Sequence, residues 1–222
     1  DDDQLWQAAM WVAELRALRT YLDLPEIHLL GQSWGGMLAI IYGCDYRPQG
    51  IKSLILASTL SSARLWAQEQ HRMIRLMSPV DQSAIATAER LQDFTGAAYL
   101  TANQHFMTQH ASGPITADDP EFLRRSKRVG TTAYNVAWGP NEYNPTGTLA
   151  DYEYTDRLQY LQMPTLVTSG TDDLCTPLVA KTMVDQLPHA TWTLFPRSRH
   201  MAFIDENTAY MTRLRHWLAA HD

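Results

Sequence analysis

The chain has 222 residues, 45% of them hydrophobic and 19% charged, with a net charge of −6. That is the profile of an ordinary globular fold, long enough for one core with a covering segment. It excludes a basic nucleic-acid binder, since no block of Lys or Arg occurs, and a membrane span, since runs such as 37–42 are far too short to cross a bilayer.

In chain order, residues 5–22 place Leu5, Ala9, Val12, Leu15, Leu18 and Leu22 at helical spacing. Leu24-Pro25 ends that helix. Residues 27–30 form a short apolar run bounded by Pro and Gly and read as a buried strand. A helix over 35–46 and a second buried strand over 51–57 follow. From 60 to 154 the strand signals disappear. Helical stretches are predicted over 63–77, 83–92 and 97–110, in a segment rich in Met, His, Trp and Tyr. Strands resume at 164–170 and 191–196, and a helix is predicted over 204–219. Between those strands, Thr176-Pro177 opens another helix with a cap residue and a first-position Pro. Strand–helix alternation on both sides of a helical insert indicates a mostly parallel α/β sheet with a lid. The expected division is a core of 1–59 and 155–222 and a helical cap of 60–154. Four strands are few for such a sheet. With a start at Asp1-Asp2-Asp3 rather than Met, further strands are expected upstream.

Cys44 and Cys175 are the only cysteines, and neither a disulfide framework nor a zinc spacing results. His105 and His110 are too far apart for one helix face, so no metal is expected. The cysteine usage fits a reducing compartment, and the expected location is cytoplasmic or cell-envelope associated.

Gly31-Gln32-Ser33-Trp34-Gly35 is G-x-S-x-G between a strand and a helix. In that context the serine sits on a tight strand-to-helix turn with its hydroxyl clear of the sheet, and the backbone N–H of the next residue, Trp34, is an oxyanion donor. A larger residue at either flanking glycine is expected to crowd the turn. A nucleophilic serine needs a base, and the base an orienting acid. In an α/β-hydrolase the order is serine, acid, histidine. Asp172 and Asp173 both follow the 164–170 strand, and His200 follows the last one. His28 lies inside a strand, and His71, His105, His110, His189, His216 and His221 fit the base position less well.

The segments GQSWGGMLA around Ser33, WGPNEY at 138–143, SGTDDLCTP at 169–177 and SRHMAF at 198–203 resemble the proline iminopeptidases, a serine peptidase family with the α/β-hydrolase fold. The likeness covers nearly the whole chain, and GPNE within the insert is its most distinctive part. It implies Asp173 rather than Asp172 as the acid, His200 as the base, and Glu142 of GPNE as the lid carboxylate that holds the substrate's free amine. Two departures stand out. Some members carry a second Glu after the acid, where this chain has Leu174, so either another acid such as Glu153 takes that role or the substrate differs. The family's HGGPG segment, with a second oxyanion donor, does not occur in this sequence and is expected upstream.

The expected activity is release of N-terminal proline from short peptides through an acyl-enzyme on Ser33, without cofactor or metal. The rival readings are an esterase or amino-acid amidase on the same triad, and a non-catalytic binding protein of the same fold. Trp66, Trp138, Tyr134, Tyr143 and Phe106 either line a proline pocket or form the lid's own core. Cys175, two residues from Asp173, is expected to confer sensitivity to mercurials.

Overall fold

The computed structural model describes residues 5–126, 128 and 130–222. Its centre is a four-stranded parallel sheet of β1 (Ile27–Gln32), β2 (Ile51–Ala57), β3 (Thr165–Gly170) and β4 (Ala190–Phe195), neighbours in that order. The central strands read as near-continuous apolar runs because both their faces are covered. β3 is buried throughout, and β2 from Ser53 onward. Alternate residues serve opposite faces, as the pleat requires. Leu54, Leu56 and Val167 join Ile40, Val179 and Met183 in the main core, while Ile55 and Leu166 pack on Trp217. The flanking helices are α1 (Ala8–Tyr21), α2 (Trp34–Ile41), α8 (Pro177–Gln186) and α10 (Asn207–His221).

Between β2 and β3 the chain forms α3 (Ala63–Ile74), α4 (Pro79–Leu91), α5 (Ala97–His110), α6 (Glu121–Arg124) and α7 (Thr131–Ala137). Side-chain caps start two of them: Ser62 accepts from the N–H of Leu65, and Ser78 from that of Asp81. The segment's ends are pinned together. The Ala63 N–H donates to Tyr152 O at 2.9 Å and the Tyr154 N–H to Ser61 O at 2.7 Å. Among the described residues no helix is long and apolar enough to cross a membrane.

Local chemistry explains where the elements depart from the predicted bounds. α4 begins at Pro79 because Ser78 caps it and proline suits the first helical position. The 35–46 helix loosens into a π turn at Tyr42–Tyr46, ending at left-handed Arg47. The 204–219 helix is instead two, α9 (Ala202–Asp205) and α10, broken at Glu206. The Glu206 carboxylate turns back to accept from Ser198 Oγ at 2.7 Å and from the Arg197 N–H at 2.8 Å.

Candidate active site

The C-terminal ends of the strands carry the chemistry. Ser33 follows β1 with φ 53° and ψ −122°, a backbone region costing about 1–3 kcal/mol for a non-glycine residue. Its surroundings hold it there. The Ser33 N–H donates to Ala57 O at 2.9 Å, and Thr59 Oγ1 donates to Ser33 O at 2.7 Å. The glycines around it differ in role. A Cβ at Gly31 would lie 2.2 Å from Gly35 O, and one at Gly36 2.4 Å from the Thr59 hydroxyl. At Gly35 it would meet nothing within 4 Å. Gly31 and Gly36, rather than Gly31 and Gly35, are therefore the sterically required pair. Trp34 opens α2, where backbone N–H groups have no intrahelical acceptor.

Asp173, in the turn after β3, is fully buried. Its Oδ1 accepts from His200 Nδ1 and from the Cys175 N–H, both at 2.8 Å, and its Oδ2 from Ser58 Oγ at 2.6 Å and the Gly170 N–H at 3.0 Å. An ionised carboxylate only accepts, so Nδ1 carries the proton and Nε2 is left as the basic nitrogen. Burial resists a charge on His200, but Asp173 outweighs it, with Glu142 adding, and the imidazole's pKa lies above its ordinary value. The His200 main chain is tied on both sides. Its N–H donates to His110 O at 3.0 Å, and its carbonyl accepts from Gln32 Nε2 at 3.3 Å. Asp172 is exposed, and its carbonyl meets His110 Nδ1 at 2.9 Å. Asp173, not Asp172, is thus the aspartate bonded to His200. Ser33 reaches the pair's neighbourhood through residue 32, without a hydrogen bond from its hydroxyl to His200.

Ser33 and Trp34 form one wall of a cavity of about 330 Å³ that reaches up into the helical segment. Trp11, Trp66, Trp138, Tyr134, Met37, Leu60 and Leu149 supply most of the rest. Of the five aromatic residues left open by the sequence, Trp66, Trp138 and Tyr134 face this cavity. Tyr143 and Phe106 are 0% exposed and pack on each other at 5.4 Å in the helical core. Trp66 also stands 6.2 Å from the His200 ring, nearly edge-on.

Glu142 is the only carboxylate among the described lining residues. The indole N–H groups of Trp66 and Trp138 donate to its backbone carbonyl at 2.8 and 3.4 Å, and the Tyr134 hydroxyl donates to its Oε1 at 2.9 Å. Burial pushes this carboxyl's pKa up, against the pull of His200 and the Tyr134 hydrogen bond. Glu153 is exposed at the base of the insert and bonded to the Thr155 N–H at 3.2 Å. Leu174 is core. Neither adds a second charge to the cavity. Trp11 of α1, in edge contact with Trp34 at 5.0 Å, is a wall residue the sequence reading missed. Its only signal was a large aromatic on an amphipathic helix. The site thus combines a half-buried serine, an oriented imidazole and one poorly solvated carboxyl group in an apolar chamber, a set suited to acyl transfer on a cationic substrate.

The family model described as alpha/beta hydrolase fold matches residues 4–207. A proline iminopeptidase of Levilactobacillus brevis is 72% identical over 221 residues, spanning 100% of this chain and 74% of the relative. One of Lactobacillus helveticus is 56% identical, spanning 100% and 75%. Among solved structures, VinJ superposes with a TM-score of 0.89 at 26% identity, covering 100% of this chain and 75% of that one. A proline iminopeptidase of Mycobacterium smegmatis gives 0.85 at 27% identity, covering 100% and 74%.

Proposed function

The chain belongs to the proline iminopeptidases within the α/β-hydrolase fold family, and from that premise we propose that it is a serine exopeptidase that releases N-terminal proline from short peptides. Ser33 attacks the carbonyl of the first residue. His200 takes the serine's proton and returns it to the leaving amine, while Asp173 holds the imidazole by Nδ1. The Trp34 N–H receives the developing oxyanion. Water then releases proline from the acyl-enzyme, again with His200 as base. Residues 60–154 act as the lid over a catalytic core of 1–59 and 155–222. Under the lid, Glu142 receives the secondary ammonium of the substrate, and the indole walls receive its ring.

The observation that carries this reading is that Glu142 is the single carboxylate among the described residues lining a tryptophan-walled chamber beside Ser33. A carboxylate held out of water favours a cation as its partner. One that lines the same cavity as the nucleophile selects a free N-terminus over an internal peptide bond.

Removing one partner of a buried ion pair costs roughly 3–5 kcal/mol. Glu142→Ala is therefore expected to lose ~10²–10³-fold in kcat/KM on a prolyl anilide. Much of the loss belongs in KM. Hydrolysis of p-nitrophenyl acetate, which brings no ammonium, should change little. The parent enzyme should also discriminate strongly against N-acetylprolyl substrates. Equal cleavage of acetylated and free prolyl substrates, or an equal loss on ester and prolyl substrates in Glu142→Ala, sinks the exopeptidase reading.

A further inference from the structure

Ser33 is not the only serine held in a left-handed backbone at a strand end. Ser58, directly after β2, has φ 47°. Gln32 and Ala57 pair across β1 and β2, so the two serines occupy equivalent places one residue beyond the last pair. Ser58 is 3% exposed and does not line the cavity. Its N–H is spent on Thr168 O at 2.8 Å, and its hydroxyl donates to Asp173 Oδ2 at 2.6 Å. A non-glycine residue at such a φ is strained, and glycine would occupy it without penalty. What the serine adds is the hydroxyl, and that hydroxyl meets the buried acid.

We propose that Ser58 is a positioning residue of this active site, whose hydroxyl anchors Oδ2 of Asp173 so that Oδ1 stays aimed at His200 Nδ1. The inference rests on the triad reading above. The chain of contacts runs Ser58 Oγ–Oδ2 of Asp173–Oδ1–His200 Nδ1, each link under 3 Å. The other contacts to the carboxylate are the N–H groups of Gly170 and Cys175, both on its own turn. Apart from His200, Ser58 supplies the one hydrogen bond to the Asp173 carboxylate, among the described residues, that comes from beyond a different strand, and so fixes the turn against the sheet. Four adjacent strand ends then each contribute one member: Ser33, Ser58, Asp173 and His200.

The hydroxyl also spreads the negative charge of Asp173. Without it the negative charge concentrates toward Oδ1 and attracts the imidazolium of His200 more strongly. The other titratable or charged groups facing this pair are Glu142 from the lid, His110 from α5 and Cys175 on the acid's own turn. None of them touches Ser58, so a change confined to Ser58 reads out through Asp173.

The test uses Ser58→Ala and Ser58→Gly in the full chain, with Ser33→Ala alongside. A hydrogen bond to a charged group is removed in both Ser58 variants, so each is expected to lose about 10- to 100-fold in kcat on a prolyl substrate. KM should stay near the parent value, because the amine is held by Glu142. The acidic limb of the kcat/KM profile should move to higher pH. Ser58→Gly relieves the backbone strain that Ser58→Ala keeps, and far-UV circular dichroism with thermal unfolding of both variants beside the parent separates loss of the hydroxyl from loss of the fold. If Ser58→Gly keeps the parent kcat and pH profile while Ser33→Ala is inactive, Ser58 is only a turn residue and the proposal falls. If Ser33→Ala itself keeps its turnover, the triad reading falls, and the Ser58 assignment with it.

Discussion

Cys175 lies two residues from the acid of the site, yet its chemistry is closed off. The thiol is fully buried and donates to Thr59 O at 2.9 Å. Burial, reinforced by the charge of Asp173, raises its pKa well above the ordinary thiol value, so almost no thiolate exists at neutral pH. The mercurial sensitivity expected from its position therefore takes a particular form. Inactivation by a bulky mercurial should be slow, faster in mild denaturant, and absent in Cys175→Ser, whose hydroxyl can still reach Thr59. Instant, stoichiometric inactivation of the native enzyme would contradict this burial. The comparison also marks what a sequence tells about single residues. Ser33 is flagged by its elbow motif and His200 by its place after the last strand, whereas the choice of Asp173 over Asp172 and the role of Glu142 come from the family resemblance. Ser58, Trp11 and the bond from Tyr134 to Glu142 carry no local signature. They follow from which strand ends and helices become neighbours in space.

Elements were legible where one physical cause dominates. β2 and α5 occupy the predicted residues because apolar runs and helical periodicity decide them alone. The helix after β4 was misjudged because the pull of the Glu206 carboxylate toward Ser198 and Arg197 is a tertiary demand that overrides periodicity. The elbow between β1 and α2 gives a sharper test of packing. Gly31→Ala drives a methyl into the Gly35 carbonyl, which backbone cannot avoid without moving. It is expected to cost at least about 1–3 kcal/mol, or to prevent folding. Gly35→Ala meets open space on a helix and is expected to remain within about 0.5 kcal/mol of the parent, or to gain slightly from helix propensity. Denaturant unfolding of both variants measures this. A larger loss at Gly35 than at Gly31 would mean that the elbow packs differently.

At the scale of the molecule, the sheet closes across its own insertion. Ala57 and Thr168 are paired partners although the whole run of α3 to α7 lies between them. Gln32 and the His200 carbonyl, hydrogen-bonded, stand 168 positions apart. Closing such a long excursion is not ruinous at equilibrium, because loop entropy grows only with the logarithm of length. It is costly in time, since distant pairings form late and slow the search. During synthesis the serine emerges long before its base, and until β3 arrives β2 offers an unpaired edge to any other chain nearby. On dilution from denaturant, the far-UV signal of the helical segment is expected to return before peptidase activity does. Simultaneous recovery would show that sheet closure is not the slow step. With Ser33 and His200 in the proposed roles, a half-made molecule would already hold its nucleophile and part of its chamber but no base to activate that serine, an arrangement that would keep a nascent peptidase silent until β4 and the loop after it are in place.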